Sequence, residues 1–198
     1  MLLDAEESQL VLVDYQERLM PAMHDGPAVL ANARRLAQAA QLLGVPVWGT
    51  EQNPSRLGPN DPALRALCRD TLAKMEFGAL EEGLGEWLRP QPKQPQGNAR
   101  SLPRHLQKPA APERTTIVIA GVEAHVCLLQ TALQLIEDEF DVVVVTDACA
   151  SRTERNRDAA FDRLAGAGAE LVTTEMVAFE WVRSAEHPQF KAIQALIK

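Results

Sequence analysis

Three residues far apart in the chain are of the types that nucleophilic acyl chemistry requires. Cys127 offers a thiol that can attack a carbonyl carbon, Asp14 a carboxylate that can take the thiol proton and return it to a leaving group, and Lys74 a cation that eases charge in the site. Each has a plainer reading. Asp14 follows an apolar run, where aspartate serves turns and helix caps; a lysine is most often a solvated charge; a lone cysteine near a helix start is most often a small buried apolar group. What joins the three is position. Asp14 closes a strand expected over Gln9–Asp14, Lys74 closes one expected over Thr71–Lys74, and Cys127 lies in the first turn of a helix expected over His125–Glu137. In a parallel sheet all three fall at the carboxyl edge, where ligands bind. A thiol at a helix start meets unpaired N–H groups and the positive end of the macrodipole, which favour thiolate. Gly121, ahead of that turn, would let backbone amides approach an oxyanion. His125 stands two residues before Cys127, and such positions do not face each other on a helix, so a structural or pocket-lining role is expected for it. Cys68 and Cys149 keep the core reading.

The elements that must carry these residues alternate along the chain. Apolar residues at helical spacing predict a helix over Pro27–Leu43, ended by Gly44. A strand follows over Val45–Thr50, then a polar loop over Glu51–Asp61. A helix is predicted around Leu80–Leu88. Further strands are predicted over Thr115–Ala120, Asp141–Thr146 and Glu170–Thr173, and further helices over Arg155–Ala167, Glu175–Ser184 and Pro188–Ile197. The continuous valine run from Val142 to Val145 marks a strand covered on both faces. Strands alternating with helices predict an α/β domain with three layers, helices flanking a mostly parallel six-stranded sheet. Between Arg89 and Glu113 lie six prolines and little apolar material, the composition of a long surface loop at about 89–113 within a single domain over residues 1–198.

Composition narrows the function classes. Twenty Lys and Arg against 27 Asp and Glu leave a net charge of −7, a surface that repels a phosphate backbone, so no nucleic acid partner is expected. No apolar run reaches the roughly 20 residues of a membrane-spanning helix, so no membrane partner is expected. Met1–Leu10 carry three acids and no base, and a cytoplasmic location is expected. Three cysteines, odd in number and without a CxxC pair, speak against a disulfide framework. No GxGxxG follows the first strand and no GxxxxGK[ST] occurs, which removes support for a nucleotide-binding reading.

Several segments together resemble the isochorismatase-like cysteine hydrolase family, which includes nicotinamidases and related amidases. They are LVLVDYQ (Leu10–Gln16), TEQ (Thr50–Gln52), Lys74 with Phe77, GVEAHVCLLQTAL (Gly121–Leu133) and DACASR (Asp147–Arg152), with TTEM (Thr173–Met176) and HPQF (His187–Phe190) similar to the isochorismatase domain-containing subgroup. The resemblance runs over nearly the whole chain and is most specific around Cys127. It implies a Rossmann-like topology, and Asp14, Lys74 and Cys127 as the catalytic set. It further implies a cis peptide bond at Val122–Glu123, with the backbone amides of Ala124 and Cys127 as oxyanion donors. Tyr15, Gln16, Leu19, Gln52, Phe77 and Glu123 are the expected substrate-pocket residues. Nicotinamidases hold a metal with Asp and His in the loop after the second strand, whereas Glu51–Asn60 here contains no His, so no metal and no cofactor are expected. Family members that cleave the vinyl ether of isochorismate do not rely on a cysteine nucleophile, and Cys127 argues against that reaction. Relatives carry Phe-Ser where this chain has Phe77-Gly78, and the proline-rich segment looks like an insertion. The expected activity is hydrolysis of a C–N bond in a small amide through a thioester on Cys127, in a homo-oligomer. A catalytically quiet binding or assembly module is the alternative.

Overall fold

The computed structural model describes residues 2–89 and 114–198; the loop expected at about 89–113 therefore lies, from residue 90 on, outside the described residues. Six strands form one sheet: β1 (Ser8–Val13), β2 (Val47–Gln52), β3 (Asp70–Lys74), β4 (Thr116–Gly121), β5 (Asp141–Val145) and β6 (Glu170–Val172). Their order across the sheet is β3-β2-β1-β4-β5-β6, and every pairing is parallel. The strand order reverses at β1, which has β2 on one side and β4 on the other, so a crevice opens between the carboxyl ends of β1 and β4.

The helices are α1 (Gly26–Leu43), the short α2 (Pro54–Leu57), α3 (Pro62–Arg65) and α4 (Gly85–Leu88), then α5 (Leu129–Glu137), α6 (Glu154–Gly166), α7 (Thr174–Val182) and α8 (Phe190–Ile197). α1 packs with α7 and α8, while α5 packs with α6 and the Leu80–Leu84 turn, giving one helical layer on each side of the sheet. β1 is buried along its whole length and β4 and β5 nearly so, as expected of interior parallel strands whose aliphatic side chains meet helices above and below.

Local chemistry sets most boundaries. Gly44 ends α1 in the left-handed region (φ 72°), its N–H donating to Ala40 O and Gln41 O. Thr153 and Thr173 cap α6 and α7, their hydroxyls accepting from Asn156 N–H and Met176 N–H. β2 begins two residues later than predicted and runs on to Gln52, because pairing with β3 extends through Gln52 and Lys74. The segment predicted as one loop over Glu51–Asp61 holds α2 and leads into α3, whose N-cap Asp61 accepts from Ala63 and Leu64 N–H. The helix predicted around Leu80–Leu88 is broken: Gly83 at φ 121° separates a wide turn over Leu80–Leu84 from α4. The helix predicted from His125 likewise opens with a wide turn, Ala124–Leu128, in which Leu128 N–H reaches Glu123 O at 3.3 Å.

Candidate active site

Parallel register carries the distant residues to one place. Val13 stands beside Thr50 on β2 and Gly121 on β4, and Gln52 stands beside Lys74. Asp14, just past β1, takes a left-handed backbone (φ 55°), a region aspartate tolerates better than most residues. Its N–H donates to Thr50 O at 3.2 Å.

Asp14 and Lys74 form an ion pair with no exposed side-chain surface, Nζ to Oδ2 at 3.0 Å. The ammonium also donates to Gln52 Oε1 (2.7 Å), Phe77 O (3.0 Å) and Glu76 O (3.3 Å), so four acceptors surround its three protons. The other carboxylate oxygen, Asp14 Oδ1, accepts the Thr50 hydroxyl at 2.7 Å. A buried ion pair is tolerated when its remaining lone pairs and protons find partners, and here they do. Lys74 is therefore a fixed internal counter-ion to Asp14, with no donor left over to grip a thiolate directly.

Cys127 is buried in the wide turn after β4, beside the Asp14 carboxylate. Burial pushes the thiol well above its ordinary range, the Asp14 and Glu123 carboxylates push it further, and Lys74 opposes them. The resting group is thus the thiol. A helix start alone favours the thiolate; desolvation and the adjacent carboxylate outweigh it. Asp14 is the neighbour equipped to take that proton.

One of the two expected oxyanion donors is engaged elsewhere. Ala124 N–H already donates to Ala150 O at 2.7 Å, where Val122 and Ala150 form a parallel bridge, and so is not available to a ligand. Glu123 N–H, next to it, has no hydrogen-bond partner among the described residues. The Val122–Glu123 peptide bond is cis. Gly121 has a packing role as well: a Cβ there would strike the carbonyl oxygen and Cβ of Val13, so glycine is what lets β4 lie this close to β1.

The expected pocket residues divide. Gln52 binds Lys74 through Oε1 and Met75 O through Nε2 (2.6 Å), orienting the cation. Gln16 is fully buried; its Nε2 reaches Gln52 O and Gly58 O, and its Oε1 accepts Gln52 N–H, tying the loop after β2 to the strand. Tyr15 belongs to the core, its hydroxyl donating to Ala148 O, so it is an anchor between β1 and the segment after β5 rather than an open pocket wall. Leu19 is half-buried against the core, and Phe77 is 48% exposed. Glu123 holds the exposed Arg152 at 2.8 Å while standing close enough to Cys127 to raise its thiol. Both His125 ring nitrogens are engaged, with Ser151 Oγ (2.9 Å) and Asn156 Nδ2 (3.4 Å), in keeping with a structural role.

Thr50 and Arg152 are the residues to which the sequence assigned no role. For Thr50 a signal existed: a hydroxyl closing the strand expected over Val45–Thr50, at the same carboxyl edge as Asp14. The Glu76 and Phe77 carbonyls carry no residue-type signal at all. Among the described residues no cluster of three His, Cys, Asp or Glu could hold a metal ion, and no helix is long and apolar enough to cross a membrane.

With this geometry in hand, the comparisons are specific. Residues 8–176 match the isochorismatase domain. Isochorismatase domain-containing protein 2 of Rattus norvegicus is 34% identical over 193 residues, which span 98% of this chain and 82% of that protein. Among solved structures, MAR1 ribonuclease from Caenorhabditis elegans superposes with a TM-score of 0.84 at 30% identity, over 100% of this chain and 92% of the other. The YcaC gene product of Escherichia coli, described as an octameric hydrolase of unknown specificity, superposes with a TM-score of 0.82 at 27% identity, covering 98% and 88%. Sequence and fold agree over nearly the full length, and the chain belongs to the isochorismatase-like hydrolase family.

Proposed function

We propose that this protein is a cysteine hydrolase cleaving the C–N bond of a small amide through a thioester on Cys127. The observation that carries the reading is the buried Asp14–Lys74 ion pair, whose carboxylate lies beside the buried Cys127 thiol. In the first half-reaction the thiol proton passes to Asp14 and the sulfur bonds to the carbonyl carbon. The backbone N–H groups of Glu123 and Cys127 would receive the oxyanion, with Glu123 taking the part first expected of Ala124. Asp14 then gives its proton to the departing amine as the C–N bond breaks, leaving the acyl group on sulfur. In the second half-reaction Asp14 takes a proton from water, hydroxide adds to the thioester, and the acid leaves as the proton returns to Cys127. Lys74 keeps its protons throughout and holds Asp14 in place.

The acidic surface, with Glu123 and Asp14 both beside Cys127, supports a neutral or cationic small molecule over a polyphosphate. The named activity of the C. elegans relative supplies the competing substrate. The octameric description of the E. coli relative, together with the exposed Met75 and Phe77 flanking the Lys74 loop, supports self-association. The test is a panel of small primary amides with acid quenching and intact-mass measurement. The native protein gains one acyl mass and Cys127→Ala, folded by circular dichroism, gains none. Undiminished amide turnover by Cys127→Ala, or cleavage of RNA in place of every amide, overturns the proposal.

A further inference from the structure

Thr50 is fully buried on β2 beside Val13, and two contacts join it to the residue that follows Val13. Its carbonyl accepts Asp14 N–H at 3.2 Å and its hydroxyl donates to Asp14 Oδ1 at 2.7 Å. One residue thus grips both the backbone and the carboxylate of Asp14. The carboxylate oxygens are shared out between dedicated donors, Oδ1 to the Thr50 hydroxyl and Oδ2 to Lys74 Nζ. Two positions along the same face of β2, Gln52 does the equivalent for the ammonium.

Building on the cysteine-hydrolase reading, we propose that Thr50 is a positioning residue for proton transfer: its hydroxyl fixes the plane of the Asp14 carboxylate that accepts the Cys127 proton. Lys74 at the end of β3 is the only cation in contact with Asp14 among the described residues, and Cys127 after β4 and Glu123 beyond it bring no cation. The next residue of β2, Glu51, directs its carboxylate elsewhere, to Asn60 N–H and the Arg65 guanidinium. Thr50 is therefore the second donor holding the negative charge on Asp14. A branched Cβ restricts its rotamer, which suits a hydroxyl that must point one way.

The test needs no knowledge of the substrate. Iodoacetamide alkylation of Cys127 in the full-length protein is followed at pH 7, with peptide mapping to separate Cys127 from Cys68 and Cys149. Thr50→Val keeps the shape and loses the donor that orients the proton acceptor, so alkylation of Cys127 is about tenfold slower. Thr50→Ser keeps the donor and restores the native rate. A native rate in Thr50→Val overturns the proposal, and so does an equal loss in Thr50→Val and Thr50→Ser, which would mark a packing effect. Should Thr50→Val not fold, Thr50→Ala takes its place with the same two outcomes. Failure of the hydrolase reading registers separately, as amide turnover surviving in Cys127→Ala, because alkylation reports on the thiol and its acceptor alone.

Discussion

Replacing Lys74 with methionine removes an ammonium of no exposed surface and keeps most of the side-chain volume, which isolates the charge from the packing. In the native chain Nζ serves Asp14 Oδ2, Gln52 Oε1 and the carbonyls of Phe77 and Glu76. The variant leaves a buried carboxylate with the Thr50 hydroxyl as its remaining side-chain donor. Removing one partner of a buried pair costs about 3–5 kcal/mol, far more than the pair is worth against an apolar replacement, because the orphaned charge stays in a medium that solvates it poorly. With a urea dependence of about 2 kcal/mol/M for a chain of this size, the unfolding midpoint falls by about 2 M. Lys74→Met combined with Asp14→Asn removes the orphaned charge as well, and the double variant is more stable than Lys74→Met alone. A coupling of about 2 kcal/mol or more is expected in the cycle, the upper part of the range for residues in direct contact. The assay is urea denaturation of all four proteins at pH 7. A Lys74→Met cost below about 1 kcal/mol, or additive single effects, would refute the description of Lys74 as the buried counter-ion of Asp14.

Two further outcomes test the surrounding frame. Gly121→Ala places a methyl against the backbone of Val13, which cannot swing aside as a side-chain tip can. It costs about 2–3 kcal/mol by urea unfolding, whereas Gly166→Ala, with nothing within 4 Å of the added carbon, is neutral or slightly stabilising; equal effects at both sites would be inconsistent with the close β1–β4 approach. Burial pushes the Cys149 thiol from 9.0 up to about 12, so the folded state holds its proton after the unfolded chain has released it. The corresponding stability is intact below about pH 9 and declines as pH rises toward 12, by about 1.4 kcal/mol per pH unit. Cys149→Ala therefore flattens the fall in urea midpoint between pH 9 and 10.5, and an unchanged slope would count against the buried thiol as its source.

The layers of this fold were legible because their signals are local. The aliphatic runs of β1, β4 and β5, the helical spacing over α1 and the glycine that ends it are patterns within a few residues, and burial on both faces follows from them. So was the convergence of Asp14, Lys74 and Cys127 at one sheet edge, since each lies at the carboxyl end of a strand or in the turn that follows one. The division of labour among them was not. Thr50 and Asp14 are 36 positions apart, Lys74 and Asp14 are 60 apart, and Tyr15 and Ala148 are 133 apart. Whether such residues touch depends on strand order and on a register in which a one-residue slip turns every side chain to the other face. Tyr15 thus became an anchor in the core, and Ala124 gave its N–H to Ala150. The sequence by itself determined which chemical groups exist and which edge of the sheet they reach. Only the tertiary structure decided that Lys74 spends its protons on Asp14 and its neighbours and that Cys127 rests as a thiol, because desolvation and hydrogen-bond partnership belong to the assembled site and not to any residue in it.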